Sequence, residues 1–357
     1  MRSFNVKHIN NVRIQEIKPL ISPYALKQKH SADERLLEQV ESQRKTISDI
    51  VSGKDSRLIG VVGPCSIHDK NAAIEYAQKL SELSIKIQDR IFIVMRTYFE
   101  KPRTVLGWRG LILDPYLNGT YHIGDGLDLA REILLEISET GLPVGCEMLD
   151  PIVPQYIDDL VSWAAIGART TESQTHRNLA SGLSVPVGFK NSTSGNLFNA
   201  INAIKSAANP ASFIGIDEHG SSSILRTTGN DKGHLILRGG TTGPNYYEED
   251  VEQAAGYMEK EGLIPSIIVD CSHENSGKKI IRQARVLRSV IDQRVDGVAA
   301  IKGFMLESNL FEGNQFVTDE TDKLIYGVSV TDACIGWEET ERILLKAYNN
   351  LDQKEVW

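Results

Sequence analysis

Four potential metal ligands of mixed softness stand far apart in this chain, each just past an apolar run or in the loop after the last of them: Cys65, His273, Glu307 and Asp332. A thiolate, an imidazole and two carboxylates suit a divalent transition ion such as Mn, Fe, Co or Zn better than Mg or Ca. A second set obeys the same rule. Arg96, Lys101, Arg103, Arg169, Lys190 and Arg238 fall at or just beyond run ends, with Glu147 in the same kind of position. Guanidinium and ammonium groups gathered this way bind phosphate and carboxylate, so a chain of formal net charge −8 keeps a locally positive cleft for a small polyanion. Singly these residues have ordinary uses, as buried thiols, helix caps or solvated rim charges. Repetition at the ends of apolar runs is what sets them apart. Pro102 also stiffens the Lys101-Pro102-Arg103-Thr104 segment, which suits a positioning loop.

The runs supply the frame. They are Leu58–Val62, Ile91–Met95, Leu142–Cys146, Ala164–Ala168, Val185–Phe189, Leu235–Leu237, Ile267–Val269 and Val298–Leu306. Continuous apolar runs read as strands buried on both faces, as in a parallel sheet covered by helices. Between them the period turns helical: Ile74, Ala77, Leu80, Leu83 and Ile87 share a face, as do Leu127, Ala130, Leu134 and Ile137, and Ile281, Ala284, Leu287 and Ile291. Eight such units predict an α/β fold, a (β/α)8 TIM barrel with its chemistry at the strand C-termini. A doubly wound open sheet would concentrate function at one switch point instead.

Two pieces fall outside that pattern. Residues 1–56 form a polar N-terminal extension with one helix, opened by a Ser31–Glu34 capping box and carrying Leu36, Leu37, Val40, Ile47 and Ile50 on its apolar side. Residues 57–357 form the catalytic barrel, interrupted at about 213–234 by a Gly/Ser/Thr-rich hairpin inserted in the sixth unit. Both additions suit interface or regulatory use.

Composition narrows the function. A chain of 357 residues, 41% hydrophobic and 24% charged, has the makings of a soluble globular protein with one large core. Nothing is apolar for long enough to span a membrane, and the polar start lacks a signal-peptide core, so the expected compartment is the cytoplasm. Cys65, Cys146, Cys271 and Cys334 are too scattered for a disulfide framework. Without a basic tract, nucleic acid is not an expected partner.

Seven ordered motifs carry a family likeness: GPCSIHD from Gly63, MRTYFEKPRT from Met95, GARTTESQ from Gly167, PVGFKN from Pro186, LRGG from Leu237, VDCSHENSGK from Val269 and TDACIGWE from Thr331. Over almost its whole length the chain resembles the type I 3-deoxy-D-arabino-heptulosonate 7-phosphate (DAHP) synthases, the group regulated by aromatic amino acids. The resemblance implies a metal-dependent transferase condensing phosphoenolpyruvate with erythrose 4-phosphate and releasing phosphate. This is the first step of the shikimate pathway toward chorismate. Carried over by motif, Cys65, His273, Glu307 and Asp332 hold the divalent ion. Arg96, Lys101, Glu147, Arg169, Lys190 and Arg238 surround phosphoenolpyruvate, and Arg103 with Thr104 takes the second substrate's phosphate. Lys101, Glu147, His273 and Asp332 are the catalytic candidates.

It further implies a homodimer or homotetramer and an aromatic effector near Asn11, Pro154, Gln155, Leu179, Leu183, Ser184 and Phe213. The chain departs from the family at Asn191–Gly195, where Asn-Gly-Thr-Asp-Gly is common, and at Arg109, where lysine is frequent. Trp108, Trp337 and His68 are left to packing roles. The competing readings are a 3-deoxy-octulosonate 8-phosphate synthase using arabinose 5-phosphate, a class II metal aldolase, and a non-catalytic aromatic amino acid sensor. One histidine in the ligand set weighs against the aldolase, and intact Cys65, Lys101 and Asp332 against the sensor.

Overall fold

The computed structural model describes residues 9–102, 107–318 and 320–351. It closes eight parallel strands into a barrel in the order β1 (Leu58–Gly63), β10 (Ile301–Glu307), β9 (Ile267–Asp270), β8 (Gly233–Leu237), β5 (Val187–Lys190), β4 (Trp163–Ile166), β3 (Val144–Glu147) and β2 (Ile91–Arg96). One helix follows each strand: α3 (Lys70–Ile87), α4 (Ile123–Glu139), the single turn α5 (Pro154–Ile157), α6 (Gln174–Gly182), α7 (Phe198–Ala207), α8 (Glu248–Lys260), α9 (Gln283–Val295) and α10 (Trp337–Asn350). The expected (β/α)8 barrel is therefore the fold. Both sheet faces are buried, which is why the runs lack alternation: Leu58 and Val62 pack outward under the helices, Ile59 and Val61 into the lumen.

The sequence placed the last strand's start at Val298; it begins at Ile301. Gly297, at φ 100°, turns the chain after α9, and Val298 belongs to that turn. Ile281 likewise leaves its expected helical face, lying in a 3-10 turn ahead of α9 and 79% exposed.

Among its described residues the extension holds two helices where one was expected, α1 (Pro23–Lys29) and α2 (Glu34–Val51). The cap of α2 is Asp33, whose side chain accepts from Leu36 N at 2.8 Å; the expected Ser31–Glu34 box does not form. A Ser31 cap would take the amide of Glu34; the Asp33 carboxylate instead takes that of Leu36 in the first turn and also favours the helix dipole. Leu37, expected on the apolar side, is exposed. Ile47, Ile50 and Val51 join the lumen residues Ile59, Val61, Val94, Trp163, Ile236, Ile268 and Met305 in one cluster, so α2 closes the barrel floor. Polar contacts fix it there: Gln43 bonds Gly141 O and Ser162, and Arg44 Nε donates to Val161 O at 2.9 Å.

The inserted hairpin is β6 (Ser212–Ile216) paired antiparallel with β7 (Ser222–Arg226) as a separate two-stranded sheet. Its turn meets the extension, Tyr24 N donating to Glu218 O at 2.7 Å. Ile214 and Ile224 face each other across it, largely exposed, and Ile9, Val12, Ile14 and Ile17 are exposed as well. No helix of the described residues is long and apolar enough to cross a membrane.

Candidate active site

At the C-terminal rim, β1 runs into Gly63-Pro64-Cys65. A side chain at Gly63 would meet the Arg96 backbone oxygen at 2.8 Å with φ at 155°, so only glycine lets the two strand ends approach this closely. Cys65 is fully buried, its Sγ 3.6 Å from Asp332 Oδ2. Ligand atoms of Cys65, Glu307 and Asp332 all lie within 4.8 Å of one another. His273 stands beside this group, with Nε2 3.9 Å from Glu307 Oε1, and shares with Glu307 and Asp332 a cavity of about 230 Å³. Its backbone is left-handed at φ 50°, an uncommon conformation that aims the ring back over β9. Burial pushes the Cys65 thiol up to about 11, with the Glu307 and Asp332 carboxylates adding to the effect. A cation among these groups would reverse that balance, so the donor set fits a divalent transition ion.

The cations divide by depth. Arg96, at the end of β2, is buried: Nε donates to Pro64 O at 3.0 Å and Nη2 to Glu307 Oε1 at 3.0 Å, over the Tyr98 ring 3.6 Å from the centroid. Lys101 Nζ lies 5.8 Å from the same ring. Burial alone would lower the Lys101 ammonium, but Cys65, Glu307 and Glu147 outweigh it and the group titrates above its ordinary range. Lys190, closing β5, pairs with Asp270 at 3.1 Å. Arg238, just past β8, pairs through Nη2 with Glu274, while its buried Nη1 has no partner among the described residues. Arg169 is exposed, its Nη1 3.4 Å from Pro102 O. Arg103 and Thr104 lie outside the described residues. Glu147, at the end of β3, sits so close to Gly167 that a Cβ there would fall 2.3 Å from Oε1.

Three supporting residues had no role in the sequence reading. Asp270 ends an apolar run, as the assigned residues do, and that was a usable signal; its carboxylate meets both Lys190 and His273. Burial would raise it, but the charges of His273 and Lys190 hold it well below the usual carboxylate range. Gln283 exchanges two hydrogen bonds with the Glu307 backbone, at 2.9 and 3.0 Å. Tyr98 underlies two cations. Neither announces itself by spacing. In the departing loop Asn191 ties β5 to β8, accepting from Arg238 N at 2.9 Å and donating to Gly239 O at 2.9 Å.

Of the seven effector candidates, Leu183 and Ser184 line a cleft of about 430 Å³ with the segment Arg226–Lys232. The other five are not among its lining residues. Pro154 and Leu179 are buried, Gln155 and Phe213 half-buried, and Asn11 is exposed in a turn. Trp108 Nε1 donates to Asp114 O at 2.7 Å, Trp337 packs edge-on to Tyr76, and His68 packs edge-on to Trp108, all packing roles.

Comparison with known proteins places this geometry. The DAHP synthetase I family matches residues 29–345. The Tyr-sensitive phospho-2-dehydro-3-deoxyheptonate aldolase of Escherichia coli is 51% identical over 344 residues, 96% of each chain. The Phe-sensitive one from the same organism is 49% identical over 340 residues, 95% of this chain and 97% of that one. A solved phospho-2-dehydro-3-deoxyheptonate aldolase from Francisella tularensis superposes with a TM-score of 0.93 at 45% identity, covering 96% of this chain and all of that one.

Proposed function

The chain belongs to the DAHP synthetase I family, and on that premise we propose that it condenses phosphoenolpyruvate with D-erythrose 4-phosphate and water, giving 3-deoxy-D-arabino-heptulosonate 7-phosphate and phosphate, with a divalent metal and under feedback from an aromatic amino acid. The observation that carries this reading is the Cys65–Glu307–Asp332 group, with the cysteine and glutamate buried and the aspartate open to solvent, beside Arg96, Lys101, Lys190 and Arg238 on one rim.

Two anions repel in one cleft unless cations neutralise both. Arg96, Lys190 and Arg238 serve phosphoenolpyruvate, and the unpartnered Nη1 of Arg238 offers a buried donor for an anionic oxygen. Arg169 closes over the phosphate from the rim, and Arg103 with Thr104 takes the phosphate of the tetrose. Cys65, His273, Glu307 and Asp332 would hold the metal, which supplies Lewis acidity toward the aldehyde oxygen when bound. The methylene carbon of phosphoenolpyruvate attacks that aldehyde, its π electrons forming the new C–C bond. Lys101 is kept protonated by its acidic neighbours and delivers a proton to the developing alkoxide. Water then adds at C2, oriented by Glu147, which takes its proton. The resulting phosphohemiketal loses phosphate by C–O cleavage.

For regulation, relatives carry the names Tyr-sensitive and Phe-sensitive. An aromatic amino acid would bind on the side where α6, the hairpin and the extension meet, near Leu179, Leu183, Ser184 and Phe213, with Pro154, Gln155 and Asn11 from the neighbouring segments. The exposed apolar residues of the extension and of the hairpin support association of copies into a homodimer or homotetramer.

The test measures phosphate release from phosphoenolpyruvate with erythrose 4-phosphate against arabinose 5-phosphate, with and without chelator. Turnover with the tetrose alone, abolished by chelator and restored by Mn²⁺ or Co²⁺, is expected. Turnover with the pentose, or none with either sugar, rejects the assignment. Removal of residues 1–30 should release the inhibition by the aromatic amino acid.

A further inference from the structure

Asp270 is buried at the end of β9, and the reaction steps above do not use it. Its Oδ2 accepts from Lys190 Nζ at 3.1 Å and lies 2.9 Å from His273 Nδ1. Its Oδ1 accepts from the backbone N of Ser272 at 3.0 Å and from the Ser272 hydroxyl at 2.6 Å. One carboxylate therefore touches a substrate-set cation and a metal-set imidazole at once.

The proton on that imidazole follows from the geometry. An ionised carboxylate has only lone pairs to offer, and so has an unprotonated ring nitrogen; the two would repel at 2.9 Å. Nδ1 must carry the hydrogen. The Ser272 hydroxyl oxygen also lies 2.7 Å from Nδ1, but its own hydrogen goes to Asp270 Oδ1, so it too can only accept from Nδ1 and adds no competing proton. In the neutral ring this leaves the lone pair on Nε2, the atom that approaches Glu307.

We propose that Asp270 is a shared positioning residue, whose carboxylate fixes the Lys190 ammonium on the substrate side and the metal-competent tautomer of His273 on the other. A ligating histidine commonly has such a carboxylate behind it; here the same group also anchors the lysine, so the two halves of the site are set by one side chain. The substrate half rests on the function proposed above.

Asp270→Asn keeps the shape and removes one acceptor oxygen, placing an amide donor either against both Nζ and Nδ1–H or against the backbone N–H of Ser272. Two titrations of metal-free protein read the result. Co²⁺ affinity, by competition with a chromogenic chelator, should weaken at least about tenfold. Phosphoenolpyruvate affinity, by calorimetry without metal or sugar, should weaken about tenfold, as for loss of a charged hydrogen bond. An unchanged value in either titration overturns the shared role, because a purely structural residue would change melting temperature without moving both. Should the variant not fold, the parent decides. At about pH 8.5, where a free imidazole is neutral, ¹⁵N correlation spectra of the metal-free protein should show His273 protonated on Nδ1. Protonation on Nε2 overturns the proposal. A parent that binds no phosphoenolpyruvate removes the substrate half along with the proposed reaction, while the Co²⁺ and ¹⁵N measurements still judge the histidine half.

Discussion

His234 gives the barrel an acid-sensitive interior whose size can be worked out. The ring is fully buried in the lumen, with Trp163 Nε1 donating to its Nε2 at 3.0 Å and its Nδ1 3.3 Å from Lys232 O. Both nitrogens are committed, one as acceptor and one as donor, so a second proton would face the indole N–H. Burial is the main cause that lowers the imidazole from 6.5 to about 4, the Lys232 carbonyl opposing slightly. Because the folded value lies below the unfolded one, the unfolded chain binds the proton first. Stability is complete above about 6.5 and is lost as pH falls toward 4. Between 6.5 and 5.0 that is 1.5 pH steps at 1.36 kcal/mol each, or about 2 kcal/mol. The assay is urea unfolding with chelator present, followed by circular dichroism at about pH 7.5 and pH 5.0, for the parent and for His234→Gln. Carboxylates titrate alike in both proteins and cancel. The parent should lose about 2 kcal/mol more than the variant on acidification. Equal losses would refute the reasoning, since the lumen would then tolerate the charged ring.

Three further outcomes are expected. Cys65→Ser exchanges a soft ligand for a hard neutral one, so metal content after dialysis should drop and activity fall at least about tenfold without added metal; full activity with unchanged metal content excludes the thiol from the ligand set. Gly167→Ala puts a methyl where Glu147 Oε1 now sits, so kcat should fall about a hundredfold while unfolding free energy moves by roughly 1 kcal/mol; an unchanged kcat would show that the position of Glu147 does not matter. Asp33→Ala should cost about 1 kcal/mol in urea unfolding, and Ser31→Ala almost nothing; the reverse ranking would restore the Ser31 box.

The barrel was legible because its strands are buried on both faces, and burial of that kind writes itself as unbroken apolar runs such as Ile91–Met95. The rim was legible for the same reason: a polar residue that breaks such a run, like Arg96 or Glu147, has few places to go except the end of the strand. What the sequence concealed depends on distances between segments. Tyr98 beneath Arg96 and Gln283 against the Glu307 backbone are unremarkable in local pattern, and Asp270, though it ends an apolar run, carries no local sign that it stands between Lys190 and His273. Caps were misjudged because Ser31 and Asp33 are both good cap types two residues apart, and only the direction of the backbone selects one. Ile281 and Val298 read as core because periodicity extends smoothly past the point where a turn interrupts it.

The floor of the barrel has a consequence for how the molecule comes into being. The ribosome delivers Ile47, Ile50 and Val51 about 250 residues before Met305, the partner that completes their surroundings. The stopper is made before the vessel. Until the last strand arrives, the apolar side of this helix has no finished seat, and the closing contacts are among the most distant in the chain. Slow refolding limited by that late docking is therefore the expected behaviour, and a helix with its stripe of isoleucines uncovered is where a chaperone would find its grip.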